Sequence, residues 1–191
     1  RDDAYVDEPI DPYGALASMG GIFTSVRDLA RWVGFFTDAF PPRDDPEEDL
    51  PLSRASRREM QQVHRPWLPE LTLPGADSMP VAAAGGYGFG LYTVDDTQWG
   101  RIVGHSGGYP GFGSNMRWLT ASGLGVIVLG NHRYAPSGLL AHELMTSLLA
   151  ADVVPARRIR PAAPTAAARA DVERLLAAWD DAIAERLFAM N

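Results

Sequence analysis

Arg101-Ile102-Val103-Gly104-His105-Ser106-Gly107-Gly108-Tyr109-Pro110-Gly111-Phe112-Gly113-Ser114-Asn115-Met116-Arg117-Trp118-Leu119 sets a histidine, a hydroxyl and two glycines at the end of an apolar run. Glycines and a proline then break the chain before a second apolar run. This pattern predicts a strand, a turn and a strand, with polar chemistry at the rim. Thr120-Ala121-Ser122-Gly123 supplies a further turn, and Leu124-Gly125-Val126-Ile127-Val128-Leu129-Gly130-Asn131 a third strand. Because that last run is apolar on both faces, helices are expected on each side of it.

Gly104-His105-Ser106-Gly107-Gly108 also fits the G-x-S-x-G elbow, in which a serine nucleophile sits between a strand and a helix. Local propensity opposes that reading. Pro110, Gly111 and Gly113 would fall in the first two helical turns, where glycine costs about 1 kcal/mol and interior proline about 3 kcal/mol. The order of residues opposes it too, since no usable acid lies between Gly108 and the last histidine, His142. An α/β-hydrolase using Ser106 as nucleophile is therefore the least favoured alternative.

In order and spacing, the stretch resembles the C-terminal half of the serine β-lactamase, DD-peptidase and esterase superfamily, in its class C-like branch. His105-Ser106-Gly107-Gly108 stands as the third active-site motif, Tyr109-Pro110-Gly111-Phe112 follows it, and Gly125 to Asn131 forms the closing strand. The likeness runs from about Tyr13 to about Ala150. It implies an α/β fold of the α+β type, a mostly antiparallel sheet flanked by helices.

The chain has 191 residues, 46% hydrophobic and 21% charged, which suits a globular domain with a real core. No apolar run reaches the roughly 18 residues that span a bilayer. A net charge of -7 argues against a nucleic-acid groove. With no cysteine, disulfides, thiolate catalysis and cysteine-ligated zinc are excluded, while the compartment, bacterial cell envelope or cytoplasm, stays open. The opening Arg1-Asp2-Asp3 is polar, so any targeting segment is expected to lie elsewhere.

Lysine is absent, and all 17 basic residues are arginine. A lysine-free chain cannot supply the Ser-x-x-Lys nucleophile of the superfamily, whose amine helps deprotonate the serine. Nor does it contain Tyr-x-Asn, the second motif. The expectation is a segment of a larger enzyme, inactive alone and unstable or dimeric in isolation, with an apolar sheet edge where the absent strands would pair.

Residues 1–18 read as an extended entry around Pro9 and Pro12. Ser25 and Asp28 approximate a capping box for a helix whose apolar face is Val26, Leu29, Ala30, Val33, Phe36 and Phe40. The acids between Pro41 and Pro51 read as solvated surface rather than a metal site. A short helix is expected from Ser53 to Val63, with Ser56 and Glu59 as an alternative start and His64 at its end. Leu68 to Ala84 reads as a long loop. Gly85 to Tyr92 begins a strand that pairs with Arg101 to His105, where Tyr87 and Phe89 are read as packing residues.

Pro136 to Ala150 forms a helix with a leucine face, Leu139, Leu140, Leu144, Leu148 and Leu149, suited to covering a sheet. His132 and His142 lack the spacing of paired metal ligands and read as surface or cap residues. The proposed division is a β-lactamase-like portion over 1–152, a proline-rich linker over 153–168, and a helical extension over 169–191.

Acyl-enzyme chemistry is what the resemblance implies. His105, Ser106 and Gly108 would be the catalytic group: the Gly108 amide as an oxyanion donor, and the Ser106 hydroxyl binding a substrate carboxylate or relaying a proton. Gly107 and Tyr109 would line the substrate. His105 stands where many relatives carry lysine, and an imidazole titrates near neutrality where an amine stays charged. That departure favours peptidase or esterase over true β-lactamase activity. The expected partners are a small acyl substrate (a β-lactam, peptide or ester) and the missing N-terminal segment, with no cofactor or metal. A non-catalytic β-lactamase-fold binding or regulatory module is the other alternative.

Overall fold

The computed structural model describes residues 7, 9, 12, 14, 15, 17–43, 45–47, 49–72, 81–97, 99–132, 135–153 and 163–188. After a short 3-10 turn at Ala17–Met19 come α1 (Val26–Thr37), α2 (Arg54–Met60), β1 (Arg65–Pro66), β2 (Glu70–Thr72) and β3 (Val81–Tyr87). Then follow β4 (Tyr92–Asp96), β5 (Gly100–Tyr109), β6 (Phe112–Leu119), β7 (Gly125–Gly130) and α3 (Ser137–Ala150). The helices α4 (Ala163–Ala177) and α5 (Asp181–Leu187) belong to a second compact unit, Arg158–Asn191.

All seven strands form one antiparallel sheet in the order β1-β3-β4-β5-β6-β7, with β2 also paired to β3. The expected mostly antiparallel sheet flanked by helices is what forms. The three-strand run read from Arg101 to Asn131 forms one end of it, as β5, β6 and the edge strand β7. Pro110 and Gly111 close the β5–β6 hairpin between Tyr109 and Phe112, and Gly111 has φ 79°. Proline followed by a residue at positive φ is the signature of a type II turn, where glycine carries no steric penalty.

Strand alternation sends neighbouring side chains to opposite faces, so Trp118 and Leu119 enter different cores. Trp118 packs with Val33, Phe36, Leu91 and Val103 on the α1 side. Leu119 packs with Val126, Ala141 and Met145 on the α3 side. A helix thus lies on each face of the sheet, as the doubly apolar β7 requires.

Ser25 caps α1, accepting from the Asp28 amide at 3.2 Å and donating to the Asp28 carboxylate at 2.8 Å. The apolar stripe predicted for that helix is buried only at its C-terminal end, through Val33 and Phe36, while Val26 is exposed and Phe40 lies past the helix end. Ser53, not Ser56, caps α2, accepting from the Ser56 amide at 3.1 Å.

Several expectations change. Part of the long loop from Leu68 to Ala84 is β2 and β3, hydrogen-bonded through Glu70↔Ala83 and Leu71↔Ala82; alanines and one short apolar segment hid the strands. The strand expected from Gly85 to Tyr92 is broken at Gly88–Leu91, where Gly90 turns with φ 70°. It is β4 that pairs with β5. On α3 the buried residues are Ser137, Ala141 and Met145, whereas Leu139, Leu140 and Leu144 face outward. Small residues let that helix approach the sheet more closely than leucines would.

The acids between Pro41 and Pro51 are not simply solvated. Glu47 accepts from Arg57 at 2.9 Å, as does Asp38 at the end of α1 at 3.3 Å, and Arg57 is wholly buried. Asp45 pairs with Arg43 at 2.9 Å and Arg54 at 3.3 Å.

In the second unit, helix begins at Ala163, inside the stretch read as linker, and residues 154–162 lie outside the described set. The helical extension is divided at Trp179 and Asp180, where Asp180 caps α5 by accepting from the Ile183 amide at 3.0 Å. Asp171 joins α4 to α5, accepting from Arg174 at 3.0 Å and Arg186 at 2.8 Å.

Candidate active site

Hydrogen bonding within the sheet decides where chemistry can occur on β5. Its first half pairs with β4, ending at Tyr92↔Gly104. Its second half, His105 to Tyr109, pairs with β6 alone. Among the described residues no strand covers the other edge of His105–Tyr109. Backbone N–H and C=O groups of a strand alternate between its two edges, so part of this segment's hydrogen-bonding capacity points away from the sheet. A ligand with an extended backbone or a carbonyl can meet that edge.

The five residues singled out on sequence, His105, Ser106, Gly107, Gly108 and Tyr109, are consecutive in this uncovered half. Ser106 lies inside the strand, opposite Asn115, and the chain goes on to a hairpin instead of a helix. The strand-to-helix elbow is therefore not formed. Ser106, Gly107 and Gly108 are exposed, and His105 and Tyr109 are half-buried. Among the described residues the Ser106 hydroxyl has no hydrogen-bond partner.

Glycine matters differently at Gly107, in the uncovered half, and at Gly104, the buried residue just before it that pairs with β4. A Cβ at Gly107 would collide with the Ser114 hydroxyl, a side-chain atom that can rotate away. A Cβ at Gly104 would collide with the carbonyl of Met116, which cannot move without breaking the ladder, and would stand 2.8 Å from the Tyr92 hydroxyl. Tyr92 thus occupies the space over Gly104.

His105 is held by two hydrogen bonds. Its Nδ1 lies 2.6 Å from the carbonyl oxygen of Ser106. Its Nε2 lies 2.7 Å from the hydroxyl of Tyr87. The imidazole meets the Tyr87 ring edge-on at 5.8 Å and 70°, and stacks on Tyr92 at 6.3 Å and 27°. Tyr87 ends β3 and Tyr92 begins β4, directly opposite each other. The turn between them is what aims two phenol rings at one imidazole.

Behind the rim, Asn115 is buried and in reach of the Tyr92 hydroxyl at 3.5 Å. Arg117 donates to the Asn115 side-chain oxygen at 3.0 Å and to the Gly138 carbonyl at 2.9 Å, tying the site row to the start of α3. Sequence reasoning missed Tyr87, Tyr92 and Asn115. Tyr87 was assigned to packing alone, although two tyrosines flanking a Gly-x-Gly turn will face each other once that turn closes.

The other histidines are elsewhere. The helix expected to reach Val63 ends at Met60, so His64 lies beyond it, with its amide bonded to the Tyr87 carbonyl at 3.0 Å and its ring 3.1 Å from the Glu59 carboxylate and 4.6 Å from the ring of Phe89. His132 and His142 are exposed. Among the described residues no group of three or more His, Cys, Asp or Glu could hold a metal ion. No described helix is long and apolar enough to cross a membrane.

A family model described as Beta-lactamase matches residues 1–150. No curated protein and no solved structure matches the chain.

Proposed function

The chain belongs to the beta-lactamase family, and from that premise we propose that it is the C-terminal segment of a penicillin-recognising serine hydrolase of β-lactamase, DD-peptidase or esterase type. The nucleophilic Ser-x-x-Lys motif would be supplied from outside these residues, because the sequence holds no lysine. The observation that carries the reading is the uncovered edge of β5 at His105–Tyr109, in a chain whose family acts on acyl compounds.

In the proposed reaction a serine oxygen from the other segment attacks the substrate carbonyl. The carbonyl electron pair moves onto oxygen, where the Gly108 amide donates to it. Collapse expels the amine or alcohol, which takes up a proton, and leaves an acyl-enzyme. Water then attacks the ester, and the serine regains its proton. Ser106 would hold a substrate carboxylate or pass a proton, and His105 would occupy the position of the usual lysine. Gly107 keeps the wall flat, and Tyr109 borders it. No cofactor is needed for these steps.

Covalent labelling of the parent protein tests this. A penicillin-type or fluorophosphonate probe should add one acyl or phosphonyl group by intact mass, and Ser106→Ala should slow labelling by about 10- to 100-fold, as expected for loss of a positioned polar group. A parent carrying Ser-x-x-Lys that never labels would leave the second reading, a non-catalytic module on the same fold, which the lack of any nucleophile motif in this chain favours. Labelling at Ser106 itself would overturn both.

A further inference from the structure

We propose that Tyr87 is the positioning residue of His105, fixing one tautomer of the imidazole and carrying any proton that reaches its basic nitrogen. The inference rests on the hydrolase reading above for its purpose, and on hydrogen-bond chemistry for its content.

A carbonyl oxygen can only accept, so the contact of 2.6 Å between Nδ1 and the Ser106 carbonyl requires the proton on Nδ1. In the neutral ring Nε2 then holds the single remaining lone pair. The Tyr87 hydroxyl at 2.7 Å must donate to it. The ring cannot flip to exchange its two nitrogens without losing both bonds and its stacking on Tyr92. Both nitrogens of His105 are therefore committed, and the hydroxyl of Tyr87 is what a reacting group meets.

The step balances. A proton arriving at the Tyr87 oxygen is matched by transfer of the Tyr87 proton to Nε2. Tyrosine stays neutral, and His105 becomes an imidazolium with a proton on each nitrogen. The reverse sequence returns the proton to a leaving group. The β3–β4 turn supplies the geometry: Tyr87 and Tyr92 are register partners, and Tyr92 in turn faces Gly104, the residue before His105.

The test is nitrogen NMR of the full chain with 15N-labelled histidine, the His105 signals being identified by their loss in His105→Gln. At a pH where the ring is neutral, His105 should show a protonated Nδ1 and an unprotonated Nε2, the opposite of the tautomer favoured by a free side chain in water. In Tyr87→Phe, which keeps the ring and its packing, the Nε2 signal should move while those of His64, His132 and His142 stay. A proton on Nε2, or an Nε2 signal indifferent to Tyr87→Phe, overturns the proposal. In the parent protein, Tyr87→Phe should slow labelling at saturating probe about tenfold, the loss of one hydrogen bond, with half-saturation changed less than twofold. Unchanged labelling overturns the positioning role. If the wild-type parent does not label at all, the hydrolase reading fails, and the nitrogen spectrum still decides the Tyr87–His105 pair.

Discussion

Arg57 and Gln61, at the end of α2, are wholly buried, whereas His105 to Gly108, in the outer half of β5, are half-buried or exposed. The buried pair is bonded outward in several directions. Arg57 donates to the Phe35 carbonyl, Asp38 and Glu47, and stands over the Phe35 ring at 4.4 Å. Gln61 donates to the carbonyls of Phe36 and Arg57 and accepts from the Trp118 indole at 2.9 Å, while its own carbonyl accepts from Thr93. One side chain and one peptide unit thus join α1, α2, β4 and β6. At the rim His105 is tied to Tyr87 and to the Ser106 carbonyl, while among the described residues the Ser106 hydroxyl has no partner and the glycines after it are exposed. Burying a polar group is costly unless its bonds are made, so the first region enforces one arrangement of helix on sheet. An open rim contributes little to stability and can be given over to binding.

If burial sets the energetic ranking, Arg57→Ala should have the largest effect. It removes a packed, wholly buried side chain and strands the Phe35 carbonyl, while the acids left behind are partly accessible and Asp38 keeps Arg43 and Arg54, so the loss should be about 2–5 kcal/mol. Urea denaturation at pH 7 measures it. A loss below about 1 kcal/mol would show that the cluster is solvated in practice and that the contrast with the rim is false.

Gln61→Leu comes next. The volume is nearly kept, yet the Trp118 indole N–H loses its partner, whereas the Phe36 carbonyl keeps the Ala39 amide at 3.2 Å. Each unsatisfied buried group costs about 1–3 kcal/mol. The same urea denaturation measures this substitution. Pairing it with Trp118→Phe in a double-mutant cycle should return a coupling energy of about 1 kcal/mol or more, since the two side chains share that bond.

The glycines of β5 sharpen the comparison within a single strand. Gly104→Ala meets a backbone carbonyl and should cost about 1–3 kcal/mol through overpacking. Gly107→Ala meets only the Ser114 hydroxyl, which can rotate, and should cost less than about 1 kcal/mol while obstructing the proposed substrate wall. Equal melting temperatures for the two variants would contradict the division of β5 into a structural half and an open half.

The strands of β5, β6 and β7 were legible because Pro110-Gly111 and Ser122-Gly123 punctuate apolar runs, and the caps at Ser25 and Ser53 because serine before a helix is a local signal. The rim residues were legible from a run of small and polar side chains at a strand end. Arg57 was not: an arginine in Arg54-Ala55-Ser56-Arg57-Arg58 looks like any solvated helix residue, and only its meeting with the end of α1 at Phe35 and Asp38, and with Glu47, explains its burial. Tyr87 and Tyr92 were hidden for a related reason. Their meeting at His105 depends on the register across two turns, which no single stretch of sequence states.

The exposed pair Asp95–Arg101 supplies the smallest effect and the control on the ranking. Its geometry is good, with two parallel bonds of 2.8 Å, yet half of the Asp95 side chain remains accessible. The hydrogen bond from Arg101 holds the Asp95 carboxyl below the usual carboxylate range, with burial opposing and the arginine charge assisting. A carboxyl whose folded value is depressed contributes stability that is fully present above its unfolded value, near 3.8, and is lost as pH falls through the folded value. Solvent screening limits such a pair to about 0–1 kcal/mol. Asp95→Asn should therefore lie at most about 1 kcal/mol below the wild type at pH 7, and the gap should close toward pH 2. It should narrow as well in 1 M salt, where the screening length is about 3 Å. A gap that persists at low pH would assign the loss to packing of the 95–101 hairpin instead of charge. A gap as large as that of Arg57→Ala would mean that hydrogen-bond geometry, not burial, orders the polar contacts of this chain.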